Sequence, residues 1–137
     1  MGDTVLDDMG DYEGALAKYE EALAIQLSAL GKNHPDVATT YSGIGSALHK
    51  MGNNEDALAK YEETLSIDLS ALGKHHPVVA TTYRNIALVL HEMDDYSGAL
   101  LKFQESLSII QPMFGLEHPD VKDCLKWIED SKKKEQK

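Results

Sequence analysis

The sequence predicts an all-α fold built as a stack of antiparallel helix pairs, and three observations carry this prediction. The chain repeats without gaps at a period of 42 residues, over 9–50, 51–92 and 93–134. The first two blocks are identical at 28 of 42 positions and the last two at 13, which chance does not produce. Each block holds two stretches with apolar residues at three- and four-residue steps, and none alternates as a strand would. Such pairs cannot bury both faces alone, so they stack into a superhelix with a concave side.

The first helix of the first block is defined by its apolar stripe and by residues typical of helix ends. The stripe consists of Leu16, Tyr19, Leu23, Leu27 and Leu30. Asp11 is a natural N-cap, and Gly31 stands where a left-handed residue would end the helix. Because Leu6 falls in the register of Leu48, residues 1–8 are expected to be the remnant of a preceding helix.

The second helix of each block is predicted to start at a His-Pro pair. Proline at the first helical position loses no hydrogen bond, because its N–H would have no partner there. The preceding histidines share one repeat position, so we expect a helix-start role for them rather than a catalytic one: His34, His76 and His118. His75-His76 is the best candidate for a metal ligand pair. No carboxylate or cysteine lies beside it at ligand spacing, and no metal site is expected.

Two features distinguish the last block. Pro112 stands where the earlier blocks have serine, and it predicts that the fifth helix bends or ends near Gln111. The final segment, 119–137, loses its apolar stripe where Lys132 takes the position of a leucine. A helix that turns polar on the side where a partner would pack is typical of a cap. The whole chain, 1–137, is therefore predicted to be a single domain.

Composition excludes several classes of function. Asp and Glu number 23 against 13 Lys and Arg, and the net charge of −10 argues against nucleic acid or an anionic membrane as partner. The single cysteine, Cys124, excludes an intrachain disulfide and suits a reducing compartment. No phosphate-binding, zinc-protease or nucleophile-elbow motif is present. We therefore expect a cytoplasmic, non-catalytic protein without cofactor or metal.

The pattern resembles the tetratricopeptide repeat, in the 42-residue form found in kinesin light chains and nephrocystin-3-like proteins. The resemblance covers about residues 4–134. It is carried by LGKHHPVVA at 72–80, by Ile86-Ala87 and Leu90, and by the Ala-Leu-x-x-Tyr segments at 15–19 and 57–61. It implies a tetratricopeptide-like α-solenoid whose concave groove binds a peptide or a partner protein.

The resemblance also implies which residues line that groove. The family's groove positions fall on the second helix of each block, and those expected to bind are Thr39, Ser42, Ser46, His49, Thr81, Arg84, Asn85, Leu88, His91, Lys126 and Trp127. Asp123 and Asp130 occupy further groove positions, with no binding role assigned. Kinesin light chains carry adjacent asparagine pairs at three of these places, and of those asparagines this sequence has only Asn85.

Two groove residues have alternative interpretations. Arg84, the only arginine, is either a fork for a peptide carboxylate or the partner of an acidic neighbour within the chain. Trp127 is either a buried anchor of the cap or an exposed contact for a partner. A second function also fits the sequence, namely a homo-oligomer formed through the N-terminal end. The first helix would expose its apolar stripe there if residues 3–9 covered it incompletely.

Overall fold

The computed structural model describes residues 5–137, with side-chain positions from Gly10 onward. These residues form six α-helices and no β-strand, as the sequence predicts. The helices are α1 (Val5–Leu30), α2 (Pro35–Lys50), α3 (Asn54–Leu72), α4 (Pro77–Glu92), α5 (Tyr96–Phe114) and α6 (Pro119–Glu135). The chain divides into two compact units, Met1–Ala71 (unit 1) and Leu72–Lys137 (unit 2).

The second helix of every repeat begins with the same histidine cap. In each case the ring Nδ1 accepts a hydrogen bond from the backbone N–H two residues later, at 3.0 Å for His34 and 3.1 Å for both His76 and His118. A proline follows at the first helical position. The predicted helix-start role is confirmed, because the ring nitrogen does here what a serine or aspartate oxygen does at other caps.

A glycine ends the first helix of each repeat. α1 stops at Leu30, and Gly31 follows with φ at +86°, as predicted. Gly73 and Gly115 hold the same repeat position with φ at +90° and +86°. Glycine adopts this left-handed conformation at little steric cost, so the repeat fixes the turn that leads into each His-Pro start.

The start of α1 differs from the prediction. The helix runs through Asp11 without interruption, so Asp11 is not its N-cap and residues 5–8 are not a separate helix. The rest of the expected remnant, 1–4, lies outside the described residues, as does the side chain of Leu6. A few residues are too short to persist as a helix of their own. Continuing the hydrogen-bond ladder of α1 is therefore favoured over a turn.

Of the two outcomes predicted for Pro112, a bend or an end of α5 near Gln111, the end is not observed. The helix continues to Phe114, with the proline in its last turn. There the proline removes only the bond that its N–H would donate to the carbonyl of Ser108. The N–H of Gly115 still donates to the carbonyl of Gln111 at 2.9 Å, which keeps the end of the helix closed.

Each unit packs a second helix against the first helix that follows it. In unit 1, Ala38 of α2 packs with Ile67 of α3, and the Thr64 hydroxyl donates to the Ala38 carbonyl at 3.3 Å. In unit 2, the Ser106 hydroxyl of α5 donates to the Ala80 carbonyl of α4 at 2.9 Å. The two bonds join equivalent repeat positions, so the same contact holds both pairs of helices.

Candidate functional site

The groove residues expected on α2 belong to unit 1. They are Thr39, which is exposed, and the half-buried Ser42, Ser46 and His49. Ser46 lines a cleft of about 220 Å³ together with the rings of Tyr12 and Tyr19 and the backbone at Gly43. Unit 1 therefore presents small polar side chains beside a tyrosine-lined depression.

The groove residues expected on α4 and α6 belong to unit 2, where five of the seven line two adjoining clefts. The Arg84 cleft, about 350 Å³, is lined by Ala80, Thr81, Arg84, Ser106, Ile110, Asp120 and Asp123. The Trp127 cleft, about 450 Å³, is lined by His91, Asp123, Lys126, Trp127, Asp130 and Lys134. Asp123 belongs to both, so it marks the point where they meet. Asn85 and Leu88, the other two expected residues, are half-buried on α4 and line neither cleft.

Two charged pairs join α4 to α6. Nη2 and Nε of Arg84 both donate to Oδ2 of Asp123, at 2.7 and 3.3 Å. Seven residues further along each helix, Nε2 of His91 lies 2.8 Å from Oδ2 of Asp130. A carboxylate only accepts, so the imidazole is the donor in this bond. Of the two alternatives for Arg84, the structure therefore contains the intramolecular pair.

Asp123 and Asp130 belong to the candidate site, although no binding role was predicted for them. Both pairs span the same separation of 39 residues. That recurrence is the one signal in the sequence that could have identified them. It becomes informative only once α4 and α6 are known to lie side by side.

Trp127 is packed on the core and also half-exposed, so its burial lies between the two predicted alternatives. Its ring stacks on the fully buried Phe103, with centroids 5.5 Å apart and an angle of 13°. It also meets the His91 ring edge-on at 5.0 Å. The indole is only half-buried and lines the Trp127 cleft, so it anchors α6 and offers aromatic surface at the same time.

The surroundings of Asp130 favour its charged form. The hydrogen bond from His91 is the main cause that lowers the pKa of this carboxyl, and Lys134 adds to it from 3.8 Å. Lys134 also lies over the Tyr96 ring at 5.7 Å from the centroid. The end of the Trp127 cleft is thus an interconnected cluster of charged and aromatic groups that fixes its side chains in place.

Cys124 is a buried thiol. Its Sγ donates to the carbonyl of Phe103 at 3.2 Å. Burial raises the pKa of the thiol to about 11. The nucleophilic thiolate is therefore scarce near neutral pH, and Cys124 has the character of a core residue.

The described part of the chain holds neither a metal-binding cluster nor a membrane-spanning helix. Within it, no three or more His, Cys, Asp or Glu residues are grouped so that they could hold a metal ion. Over the same residues, no helix combines the length and the apolar character needed to cross a membrane.

Comparison with known proteins assigns the chain to a family. The sequence matches the tetratricopeptide repeat family over residues 4–70 and 37–111, and the chain belongs to that family. A search of curated protein sequences gives no match. Proteins of this family are generally scaffolds for protein–protein interaction.

Solved structures confirm the all-α helical-repeat fold. BtubC (BKLC) from P. vanneervenii superposes with a TM-score of 0.85 at 22% identity, over 93% of this chain and 51% of that one. The "putative kinesin light chain nearly identical TPR-like repeats" of Podospora anserina gives a TM-score of 0.84 at 18% identity, over 93% and 60%. The chain thus spans about half to three-fifths of the length of these structures, and the likeness concerns the fold.

Proposed function

We propose that this protein is a non-catalytic interaction module that binds a peptide, or an extended segment of a partner protein, on the groove face of unit 2. That face consists of the Arg84 cleft and the Trp127 cleft. The observation that supports the proposal is the convergence of five groove residues on two clefts that share Asp123. As part of the same proposal, the protein is a cytoplasmic scaffold that carries out no reaction of its own.

The chemistry of this face suits a peptide. Trp127 supplies apolar ring surface, while Arg84 and Lys126 supply hydrogen-bond donors for backbone carbonyls or side-chain oxygens. A guanidinium has five N–H donors, and the pair with Asp123 uses two of those of Arg84, so this pair leaves three for a peptide.

The side chains of this face are also held in place before a ligand arrives. Asp123 restrains Arg84, Asp130 restrains His91, and Phe103 restrains Trp127. Groups that are already ordered lose less entropy on binding, so the same contacts give a higher affinity.

The charges that line the two clefts are balanced. Three carboxylates, Asp120, Asp123 and Asp130, stand against three cations, Arg84, Lys126 and Lys134. We therefore expect the peptide to be recognised through individual charged pairs and through contact with the Trp127 ring. The net charge of the peptide should have only a weak effect on its affinity for the clefts. The net charge of −10 over the whole chain favours the approach of partners that carry positive charge.

Selection from a random peptide library displayed on phage, followed by fluorescence anisotropy with the full chain, tests the proposal. Lys126→Ala removes an exposed cation from the Trp127 cleft and should weaken a selected peptide at least fivefold, with an unchanged melting temperature. Lys122→Ala is the matched control, since Lys122 is exposed on α6 and lines neither cleft. Failure to select any saturable ligand, or equal loss in both variants, would contradict the proposal.

Self-association through the N-terminal end stays a second hypothesis. It is favoured by the exposed apolar side chains of α1, which include Tyr19, Ile25 and Leu30. Light scattering behind size exclusion, from low micromolar concentration upward, measures it directly. A mass of 15.1 kDa at every concentration would contradict self-association.

A further inference from the structure

The three histidine caps depend on a ring nitrogen that must not carry a proton. In His34, His76 and His118 the Nδ1 atom accepts a hydrogen bond from the backbone N–H two residues later, at 3.0, 3.1 and 3.1 Å. A backbone N–H can only donate, so Nδ1 is the acceptor in each cap. An imidazole gains its second proton as the pH falls from about 8 to about 5, and both of its nitrogens are then donors. A proton on Nδ1 therefore breaks the cap.

The place of that proton adds a second cost. Each histidine stands directly before the first residue of a helix, which is Pro35, Pro77 or Pro119. The N-terminal end of a helix carries partial positive charge, so it favours anions and disfavours a cation. A serine or aspartate at the same position never becomes positively charged. The use of histidine thus links the start of three helices to the pH.

The three caps differ in the residue that receives the cap bond. That residue is Asp36 in α2 and Asp120 in α6, whereas it is Val78 in α4. The Asp36 carboxylate lies 3.9 Å from Nδ1 of His34, so a protonated ring gains an ion pair there when it loses the cap bond. Val78 cannot make this exchange. The cap of α4 is therefore the one most exposed to the cost of protonation.

The remaining neighbours of His76 strengthen this difference. The turn before it holds Lys74 and His75, a cation and a second ionisable ring. Where α5 approaches the turn, the cleft beside His75 is lined by Ser108, Ile109, Pro112 and Met113, which are uncharged. The turn adds positive charge and α5 adds apolar surface, and both oppose a further positive charge.

His118 has acidic groups on both sides. Glu117 precedes it and Asp120 follows two residues later. Glu117 is shared with Lys122, whose Nζ lies 3.3 Å from its carboxylate. From α5, the Phe114 ring stacks on the imidazole with centroids 4.4 Å apart. A protonated His118 therefore meets negative charge and an aromatic face, both of which favour a cation.

We infer that the His76 cap is an acid-sensitive switch, which releases the first turn of α4 when the pH falls below neutral. His34 and His118 should respond more weakly, because a carboxylate stands beside each of them. The inference goes beyond the proposed function, because the switch needs no ligand and His76 lines neither cleft.

The sign of the pH dependence follows from proton binding. The unfolded chain takes up a proton on His76 freely, whereas the folded chain takes it up only with loss of the cap. The unfolded state then binds more protons, so the free energy of unfolding falls as the pH decreases. His91 has the opposite sign, because its Nε2 donates to Asp130 and a further proton leaves that bond intact. Differences between variants therefore isolate the His76 switch.

Urea unfolding of the full chain, followed by circular dichroism at about pH 8 and about pH 5.5, tests the inference across the range in which imidazoles titrate. The measured quantity is the rise in the unfolding equilibrium constant between the two pH values. His76→Asn keeps a capping oxygen that gains no proton, and it should reduce this rise about fivefold, the factor that a helix cap is worth. His75→Asn is the matched control, because His75 is exposed and the first repeat has Asn33 at that position. It should leave the rise unchanged.

Two exchanges between repeats test the role of the neighbouring carboxylate. Val78→Asp gives α4 the residue of α2 and α6, and it should reduce the rise about twofold, as an exposed ion pair at a helix start would. Asp36→Val makes the start of α2 resemble that of α4 and should increase the rise about twofold. Both variants keep the cap histidine, so they test the switch even where His76→Asn does not fold.

Three results would overturn the inference. One is a rise that neither His76→Asn nor Val78→Asp reduces, and another is an equal reduction by His75→Asn. The third is a larger reduction by His34→Asn than by His76→Asn, since the neighbouring carboxylates would then have no influence. None of these measurements uses a peptide, so the proposed function stands or fails separately through the binding of selected peptides to Lys126→Ala.

Discussion

Units 1 and 2 use the same pair of repeat positions in opposite ways. In unit 1 an aromatic residue of the first helix, Tyr19, lies against a glycine 24 residues later, and a Cβ at Gly43 would come within 2.6 Å of the ring. In unit 2 the equivalent residue, Phe103, stacks on an indole 24 residues later, that of Trp127. The residue at the second of these positions, Gly43 in unit 1 and Trp127 in unit 2, therefore determines whether a side chain fills the space beside the aromatic ring.

The consequence is a difference in burial. Phe103 is fully buried beneath Trp127, whereas Tyr19 keeps more than a third of its surface exposed beside Gly43. Unit 2 thus combines a closed aromatic stack with the charged pairs of Arg84 and His91, and unit 1 presents an open ring with small polar neighbours. This contrast adds support to the proposal that the peptide-binding face lies on unit 2.

The largest expected effect comes from removing the aromatic ring in each unit. Phe103→Ala should lower the free energy of unfolding by about 3–5 kcal/mol, because it empties a fully buried site and leaves Trp127 without its stacking partner. Tyr19→Ala should cost about 1–2 kcal/mol, because much of that ring is already in water. Urea unfolding followed by circular dichroism measures both. Equal losses would contradict the contrast between the units.

Replacing Cys124 by the residue of the other repeats should have a smaller effect. Thr40 and Thr82 hold the equivalent positions, and both are buried. Cys124→Thr should change the free energy of unfolding by about 1 kcal/mol or less, since the volumes are close and a hydroxyl can donate to the Phe103 carbonyl as the thiol does. Thermal unfolding of the variant measures it, with Cys124→Ala as the control that has no donor. If Cys124→Ala were the more stable of the two, the hydrogen bond would be unimportant.

The Arg84–Asp123 pair should contribute little to stability, although it organises the groove. Both side chains are about 40% exposed or more, and exposed ion pairs are worth about 0.2–1 kcal/mol. Arg84→Ala should therefore cost about 0.5 kcal/mol in urea unfolding while it weakens a selected groove peptide. A loss above about 2 kcal/mol would show that the pair is mainly structural.

The smallest expected effect concerns how stability depends on pH in the acid range. The pKa of Asp130 is lowered in the folded state, so the stability that its charged form supplies is complete above the pKa of an unfolded aspartate, about 4. That stability is lost as the pH falls through the lower folded-state value. Asp130→Asn should lower the free energy of unfolding slightly at neutral pH, flatten its acid limb, and give the same stability as the parent protein only at the acid end. An acid limb identical to that of the parent protein would contradict this assignment.

The sequence predicted what depends on local chemistry. The helix-start role of the histidines and the left-handed Gly31 follow from residues within a few positions of one another, which the repeat presents again in a later block. The predictions that failed needed tertiary information. Asp11 has the residue type of an N-cap, but α1 continues through it. Whether Pro112 would interrupt α5 depended on how near the end of that helix it lies, and the local sequence does not give that distance.

The candidate site was predictable in outline and not in its pairing. The family resemblance gave the groove face, because groove positions follow from the repeat register. It could not show that Arg84 and His91 would meet Asp123 and Asp130, since that requires the distance between α4 and α6. Whether Trp127 anchors α6 or lines the cleft likewise depends on where the ring of Phe103 lies.

The most direct test of the groove on unit 2 uses Trp127 itself, which is the only tryptophan of the chain. A selected peptide without tryptophan is titrated into the full chain while the intrinsic indole fluorescence is recorded. We expect a saturable change in emission, with the same dissociation constant that anisotropy gives and with a weaker constant in Lys126→Ala. Saturable binding that leaves the Trp127 emission unchanged would place the peptide elsewhere and contradict the proposed binding face.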